Sequence, residues 1–324
     1  MKRYIIKRLL LILPMLVGIS FIMFIVMHLA PGDPTSIKYG MNPEVSQSAR
    51  ANFNKMYELD KPVLTQYVLW MKRFFTLDFG ASFIDGEPVV KKIMSRLPAT
   101  LLLQIVSFLV IFALAIPIGV YGALNKDSLF DRVSTVFVFV GYAMPGFWLA
   151  LILVFVFGFK LGWFPVSGMA PWYTEYLSPF EKVKDLLWHL VLPVSATTLG
   201  SLAALSRYTR SSMLEVKGEN YVLTGRAKGL TERYITSRYI LRNALLPIVT
   251  IAGLTLPALI SGSFIFETIF AWPGMGRLGY EAIMSYDYPM VMGTGVVAVG
   301  LTLFGILISD ILYAAVDPRI RLEK

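Results

Sequence analysis

The sequence predicts an all-α integral membrane protein with six transmembrane helices. Three observations carry this. First, 56% of the 324 residues are hydrophobic and only 16% are charged, with a mean hydropathy of +0.64; a soluble domain carries about 25% charged residues. Second, six apolar stretches lie at roughly 9–30, 97–124, 133–159, 187–206, 244–266 and 289–309. A helix rises about 1.5 Å per residue, so crossing about 30 Å of hydrocarbon takes about 20 such residues. Third, Lys and Arg gather in alternate loops. The length alone would suggest about two soluble domains, but these apolar runs are too long for soluble core helices.

Taking the elements in order, the opening run from Leu9 to Met27 is longer than the about 7–15 apolar residues of a signal peptide, and no small-x-small cleavage site follows it. It is read as a retained first span. With the N-terminus inside, the inner segments hold Lys2, Arg3, Lys7 and Arg8, then Lys126 and Arg132, then eight basic residues from Arg207 to Arg242, then Arg319, Arg321 and Lys324. The short outer loops, 161–186 and 271–288, hold only Lys182, Lys184 and Arg277. Cytoplasmic loops of membrane proteins accumulate Lys and Arg, so both ends are expected in the cytoplasm. The same distribution accounts for the net charge of +9, and no nucleic-acid partner is expected.

The expected organisation is a cytoplasmic N-terminus and first span (1–30), an extracytoplasmic cap segment (31–96), a five-span core (97–318) with a cytoplasmic loop at 207–244, and a cytoplasmic tail (319–324). In the cap segment, Phe53, Met56, Tyr57, Leu59, Tyr67, Leu69, Trp70, Phe74 and Phe75 offer apolar anchors. Asp60-Lys61-Pro62 opens a helix through Phe75, with Pro near its first turn. This segment is expected to lie on the membrane surface, either packed over its own spans or serving as a landing surface for an outside partner. Pro14, Pro117, Pro145, Pro193, Pro247 and Pro257 fall in or at the ends of spans; membrane bundles tolerate such bends when neighbours satisfy the freed carbonyls. No internal repeat is evident, which argues against an inverted-repeat secondary transporter.

Catalytic chemistry has little to stand on. There is no cysteine, which excludes disulfides and thiolate metal sites. No G-x-x-x-x-G-K-[ST] phosphate loop is present, so the chain shows no means of hydrolysing ATP itself. His28 and His189 are the only histidines; neither is read with a carboxylate or His partner at helical spacing, and interfacial packing is expected of both. Asp310, near the inner end of the last span, is the most inward acid. An acid in a span is a functional candidate, but its place about one turn from the edge also suits a solvated or capped carboxylate.

The loop from Arg207 to Pro247 carries the most information. Glu219-Asn220 can cap a short helix from Tyr221 to Lys228, Gly229 suits a left-handed stop, and Thr231-Glu232 can open a second helix toward Asn243. The short helix is small on one face through Gly225 and Ala227, with Tyr221 and Leu223 adding apolar contacts and Arg226 and Lys228 rim charges. Such a helix fits a partner's groove; a basic loop held to anionic headgroups is the other reading.

The run YVLTGRAKGL from Tyr221 to Leu230, followed by RNALLP from Arg242 to Pro247, resembles the coupling loop of binding-protein-dependent ABC importer permeases, most of all the dipeptide/oligopeptide/nickel branch. Pro31-Gly32-Asp33-Pro34, Arg96-Leu97-Pro98-Ala99-Thr100, the run FETIFAWPGMG from Phe266 to Gly276, and Asp317-Pro318-Arg319 agree in family order along the whole chain. There are departures. The family loop is named for a Glu-Ala-Ala triplet ahead of its glycine; here Leu223, Thr224 and Gly225 precede Gly229, and Gly225 stands where Ala is expected.

The resemblance implies a type I, MetI-like permease fold in a bacterial or archaeal plasma membrane. It implies a second, similar permease subunit, two ATPase subunits carrying ATP and Mg, an extracytoplasmic binding protein, and no cofactor in this chain. It makes Tyr221, Thr224, Gly225, Arg226, Ala227, Lys228 and Gly229 the ATPase-docking residues. Short peptides are the leading cargo, with nickel chelates, glutathione and oligosaccharides left open; the substrate path is not identified. Two rivals remain at this point. A secondary transporter would work on an ion gradient without ATPases, and a membrane enzyme would need polar residues converging in a cavity.

Overall fold

The computed structural model describes residues 2–30, 52, 54–56, 58–170, 176–255, 257 and 262–316. The Pro31–Pro34 and Asp317–Arg319 runs, Phe53, Tyr57 and the C-terminal tail lie outside them. The described residues are helical, with one isolated bridge between Ala81 and Pro88, and they divide into two compact units.

Unit 1 comprises residues 1–100, 260–264 and 273–324. It holds α1 (Lys2–Leu29), α2 (Val63–Phe75), the start of α3 (Val89–Leu124), and two late helices numbered in chain order as α11 (Met275–Met284) and α12 (Tyr288–Val316). α1 and α12 pack along each other, and Gly295 makes this close: a Cβ there would meet the Met23 methyl at 1.9 Å. Near the start of α1 and the end of α12, Arg8 Nη2 lies 3.2 Å from Asp310 Oδ2, so the acid of the last span is paired rather than free. α2 starts after Pro62, as expected.

The cap helix touches the end of α1 through Gln66 and His28 and also reaches well back along it. The Tyr67 hydroxyl donates to the Val17 carbonyl at 2.9 Å and meets Ser20 Oγ at 3.0 Å. Val17 precedes the end of α1 by twelve residues, or about 18 Å of helix. Of the expected anchors, Tyr67, Trp70 and Phe74 pack with Phe24, Met292 and Val296, whereas Met56 and Phe75 are exposed. A second cluster joins Phe79, Val89, Ile93, Met275, Leu278 and Met290. Beside it the buried Asp287 accepts from Ser82 Oγ at 2.5 Å and from the Phe83 amide at 3.0 Å.

Unit 2 comprises residues 101–259 and 265–272. After the rest of α3 come α4 (Leu129–Ala143) and α5 (Gly146–Lys160), bent by 107° at the break between them. The expected single span 133–159 is therefore broken. Pro145 disfavours helical backbone in the residue before it, and Met144 is extended at φ −83°, ψ 133°. α6 (Pro179–Lys217) opens with a capping box between Ser178 and Glu181. α7 (Asn220–Ala227) and α8 (residues 232–244) form the loop, and α9 (Leu246–Thr255) and α10 (Phe264–Ile269) follow. α1, α3, α6 and α12 are each long and apolar enough to cross a membrane, and the α4–α5 pair brings the total to five among the described residues. The fifth expected span, 244–266, is divided between α8, α9 and α10, and residues 256 and 258–261 within it lie outside the described set.

Candidate docking site

The loop after α6 is held by contacts to α6 and α3 and by bonds within itself. Glu219 sits at the N-cap of α7 in extended backbone without a side-chain cap bond, so the predicted Glu219-Asn220 cap does not form. Gly229 does stop the helix in the left-handed region, at φ +73°, where a Cβ is unfavourable. Thr231 then turns the chain into α8, which runs from Glu232–Tyr234 through the wider π-helical turns of Ile235–Leu241 into Arg242–Ala244.

The face that α7 buries differs from the expected one. Val222 is fully buried and Gly225 is buried, packed toward Ile235. Tyr221 and Leu223 remain 39% and 52% exposed, and Ala227 is exposed as well. The sequence carried a signal for this: Val222 and Gly225 are three residues apart, one helical turn. Val222, Ile235, Ile240 and Ala244 form a core with Met213 of α6 and Ala123 of α3. The hydroxyl of Ser212 donates to the Ala244 carbonyl at 2.9 Å, a second tie between α6 and α8. A Cβ on Gly225 would stand 3.7 Å from Ile235 Cγ1, ordinary contact, so the site accepts the Ala expected there.

The polar groups cross-brace the two helices. Arg226 Nε and Nη2 donate to Glu232 Oε1 and Oε2 at 2.7 and 3.3 Å. The Arg226 guanidinium holds the Glu232 carboxyl below the usual carboxylate range. Asn243 Nδ2 donates to the Tyr221 hydroxyl at 3.3 Å, and the Tyr221 ring stacks on Tyr239. The Thr224 hydroxyl donates back to the Asn220 carbonyl. Of the seven predicted residues, Tyr221, Thr224, Ala227, Lys228 and Gly229 thus reach the surface, whereas Gly225 and Arg226 hold the loop together.

A group that sequence reasoning did not single out lies on α4 and α6. Arg210 donates from Nε and Nη2 to Asp131 Oδ1 and Oδ2 at 2.6 and 2.7 Å, and the Asp127 amide donates to Oδ2 at 3.0 Å. The Asp131 side chain is buried. Gly122 of α3 leaves room for it, since a Cβ there would lie 3.2 Å from Asp131 Oδ1. At Gly119 a Cβ would come within 2.5 Å of the Ser206 carbonyl oxygen. An acid and a base 79 residues apart leave no pattern in one sequence.

Both histidines are also placed. His28 Nδ1 lies 2.9 Å from the Phe24 carbonyl and Nε2 lies 3.0 Å from Gln66 Oε1. His189 does have a partner at helical spacing, contrary to expectation. Asp185, four residues earlier, sits 3.1 Å from its Nδ1, the i,i+4 geometry that brings side chains together on one helix face. No cluster of three or more metal-ligating side chains occurs among the described residues.

The profile of the family "Binding-protein-dependent transport system inner membrane component" matches residues 115–322, and that of its N-terminal region matches residues 1–104. The chain is 43% identical to the oligopeptide transport system permease protein AppB of Bacillus subtilis, over 99% of each chain. It is 35% identical to the dipeptide transport system permease protein DppB of Escherichia coli, over 100% of each. A solved structure of the inward-facing MetNI methionine ABC transporter matches with a TM-score of 0.52 and 21% identity, covering 70% of this chain and 97% of that one. At that identity the likeness is one of fold.

Proposed function

The chain belongs to the family of binding-protein-dependent transport system inner membrane components, and from that premise we propose that it is the translocating subunit of an ATP-driven peptide importer. It is an integral protein of the cell membrane, and its family is one of membrane permease subunits. Peptide cargo is supported by the names of relatives matched along their whole length. Cytoplasmic termini are supported by the Lys and Arg placement. ATP and Mg belong to two separate ATPase subunits, because the sequence carries no phosphate loop. A second permease subunit and an extracytoplasmic binding protein complete the assembly, with residues 31–96 on the binding protein's side.

The observation that carries this reading is the bracing of the α7–α8 loop. A docking element must transmit force without deforming. Here Val222 locks into a core with Met213 of α6, and Arg226–Glu232 ties α7 to α8. The outward residues Tyr221, Thr224, Ala227, Lys228 and Gly229 are then free to seat in an ATPase groove. ATP-driven closure of the ATPases pulls the loop, and α6 carries the displacement into the spans, biasing them from inward-open to outward-open.

Because the chain has no cysteine, Ala227→Cys gives a unique thiol. It should cross-link to a co-purified ATPase subunit, and Gly229→Trp should abolish transport while the complex still reaches the membrane. Labelling from lipid alone, together with unimpaired transport by Gly229→Trp, would overturn the docking role.

A further inference from the structure

Halfway along α3 and α6, within unit 2, lies a cavity of about 430 Å³, within the range that small-molecule sites occupy. α3 runs from Val89 to Leu124 and α6 from Pro179 to Lys217, so Ser107 and Thr197 stand at or next to their midpoints. Both line the cavity. Their hydroxyl oxygens are 2.8 Å apart. The Thr197 hydroxyl is also 3.0 Å from the Pro193 and Val194 carbonyls, which can only accept, so its proton points there. Ser107 therefore donates to Thr197 and keeps its lone pairs for the cavity.

The rest of the lining has an unusual composition for the middle of two spans. Gln104, Ser201 and Tyr208 face the cavity with no hydrogen-bond partner among the described residues. Each can both donate and accept. No Asp, Glu, Lys or Arg lines it, and Phe108 and Phe112 supply apolar wall. Gln104 and Ser201 lie within about three residues of the helix midpoints, where unpaired polar groups are costly in lipid, whereas Tyr208 lies ten residues beyond the α6 midpoint. The exposed face of α4, by contrast, shows Val133, Val136, Phe137 and Val140, as a lipid-facing surface should.

We propose that this cavity is this subunit's share of the translocation path, and that Gln104, Ser107, Ser201 and Tyr208 bind the uncharged main-chain amides of the passing peptide. Neutral groups that donate and accept match a peptide's N–H and C=O whatever its side chains. A fixed charge would select among side chains instead. The inference rests on the peptide-importer reading above, whose cargo it deepens.

The test uses the complete complex in proteoliposomes, with its binding protein and ATPases. In cysteine-free background, Gln104→Cys and Ser201→Cys should react faster with a water-soluble charged thiol reagent than Ile105→Cys, which lies one residue away and does not line the cavity. Turnover of a neutral tripeptide should slow only the first two. Gln104→Leu should lower uptake about two- to tenfold, the worth of one hydrogen bond. Gln104→Glu should shift the ratio of uptake toward Lys-containing over Glu-containing tripeptides, a change that a merely structural role would not produce. Equal labelling of residues 104 and 105, or an unchanged Lys/Glu ratio in a complex that still imports peptide, would overturn the path and leave the importer reading standing. A wild-type complex that hydrolyses ATP yet moves no peptide would instead refute the cargo and with it the amide-binding role. Labelling only by a lipophilic reagent, or protection only by the second permease, would show lipid or a partner helix in the cavity and refute the proposal.

Discussion

In unit 1 the buried carboxylate of Asp287 holds two donors, and Tyr67 spends its hydroxyl on Ser20 and Val17. In unit 2 the amide of Gln104 and the hydroxyls of Ser201 and Tyr208 face a void. The unit 1 groups are buried among packed side chains, whereas Ser201 and Tyr208 are exposed in the chain. The unit 1 groups close on each other, as Asp131 and Arg210 do in unit 2, whereas Gln104, Ser201 and Tyr208 do not. A group satisfied within its own chain holds the fold, whereas a group left open is available to something that passes.

The contrast can be broken most directly at Asp287. Replacing it with Ala strips an acceptor from Ser82 Oγ and from the Phe83 amide, and each unpaired buried donor costs about 1–3 kcal/mol. Asp287→Ala should therefore destabilise by about 2–6 kcal/mol, measured as a large fall in thermal midpoint of the purified complex. Gln104→Leu should leave that midpoint unchanged while slowing transport; a comparable fall at both positions would erase the distinction.

Glycine contacts give a smaller and sharper test. Gly119→Ala drives a Cβ onto the Ser206 backbone oxygen and should cost about 1–3 kcal/mol through overpacking. Gly295→Ala meets only the end of the flexible Met23 side chain and should cost less. Measured thermal midpoints in the opposite order would mean that α1 and α12 are the stiffer pair.

At the loop, Gly229→Ala imposes a left-handed conformation on an L side chain, at about 1–2 kcal/mol, and should raise the rate of thermolysin cleavage at 226–232. Gly225→Ala should not, because Ile235 leaves room. The smallest effect concerns pH. The Glu232 carboxyl is depressed in the folded loop by Arg226, so its contribution is present above the unfolded carboxylate range of about 4.3 and is lost as pH falls through the folded value. Cleavage in the loop should stay flat from neutrality to about pH 4.5 and rise below it. Glu232→Gln should remove that acid-side step; a step of equal size in the variant would assign it elsewhere.

What could be read in advance followed short-range rules. Pro62 starts α2, Gly229 stops α7, and hydrophobic length marks α1, α3, α6 and α12, because each depends on residues adjacent in sequence. The 107° break at Met144-Pro145 was signalled by its proline but hidden by the unbroken hydrophobicity around it. The buried face of α7 was marked only by the Val222–Gly225 spacing, and its partners Ile235 and Met213 lie outside those eight residues. The Asp131–Arg210 pair and the cavity at Ser107 and Thr197 join residues 79 and 90 apart, so they exist only once the chain has folded.

The length of α6 has a mechanical consequence. Its 39 residues span about 58 Å, against about 30 Å of hydrocarbon. Its only internal proline, Pro193, precedes the cavity wall, so the segment from Ser201 to Lys217 is an uninterrupted rod of about 24 Å. A tilt of about 10° about Ser201 would swing the end that carries α7 through about 4 Å, by the same rise per residue. The leverage runs both ways: a modest push on the loop becomes a fine, sub-helical adjustment at the cavity, delivered along one piece of backbone with no joint in between.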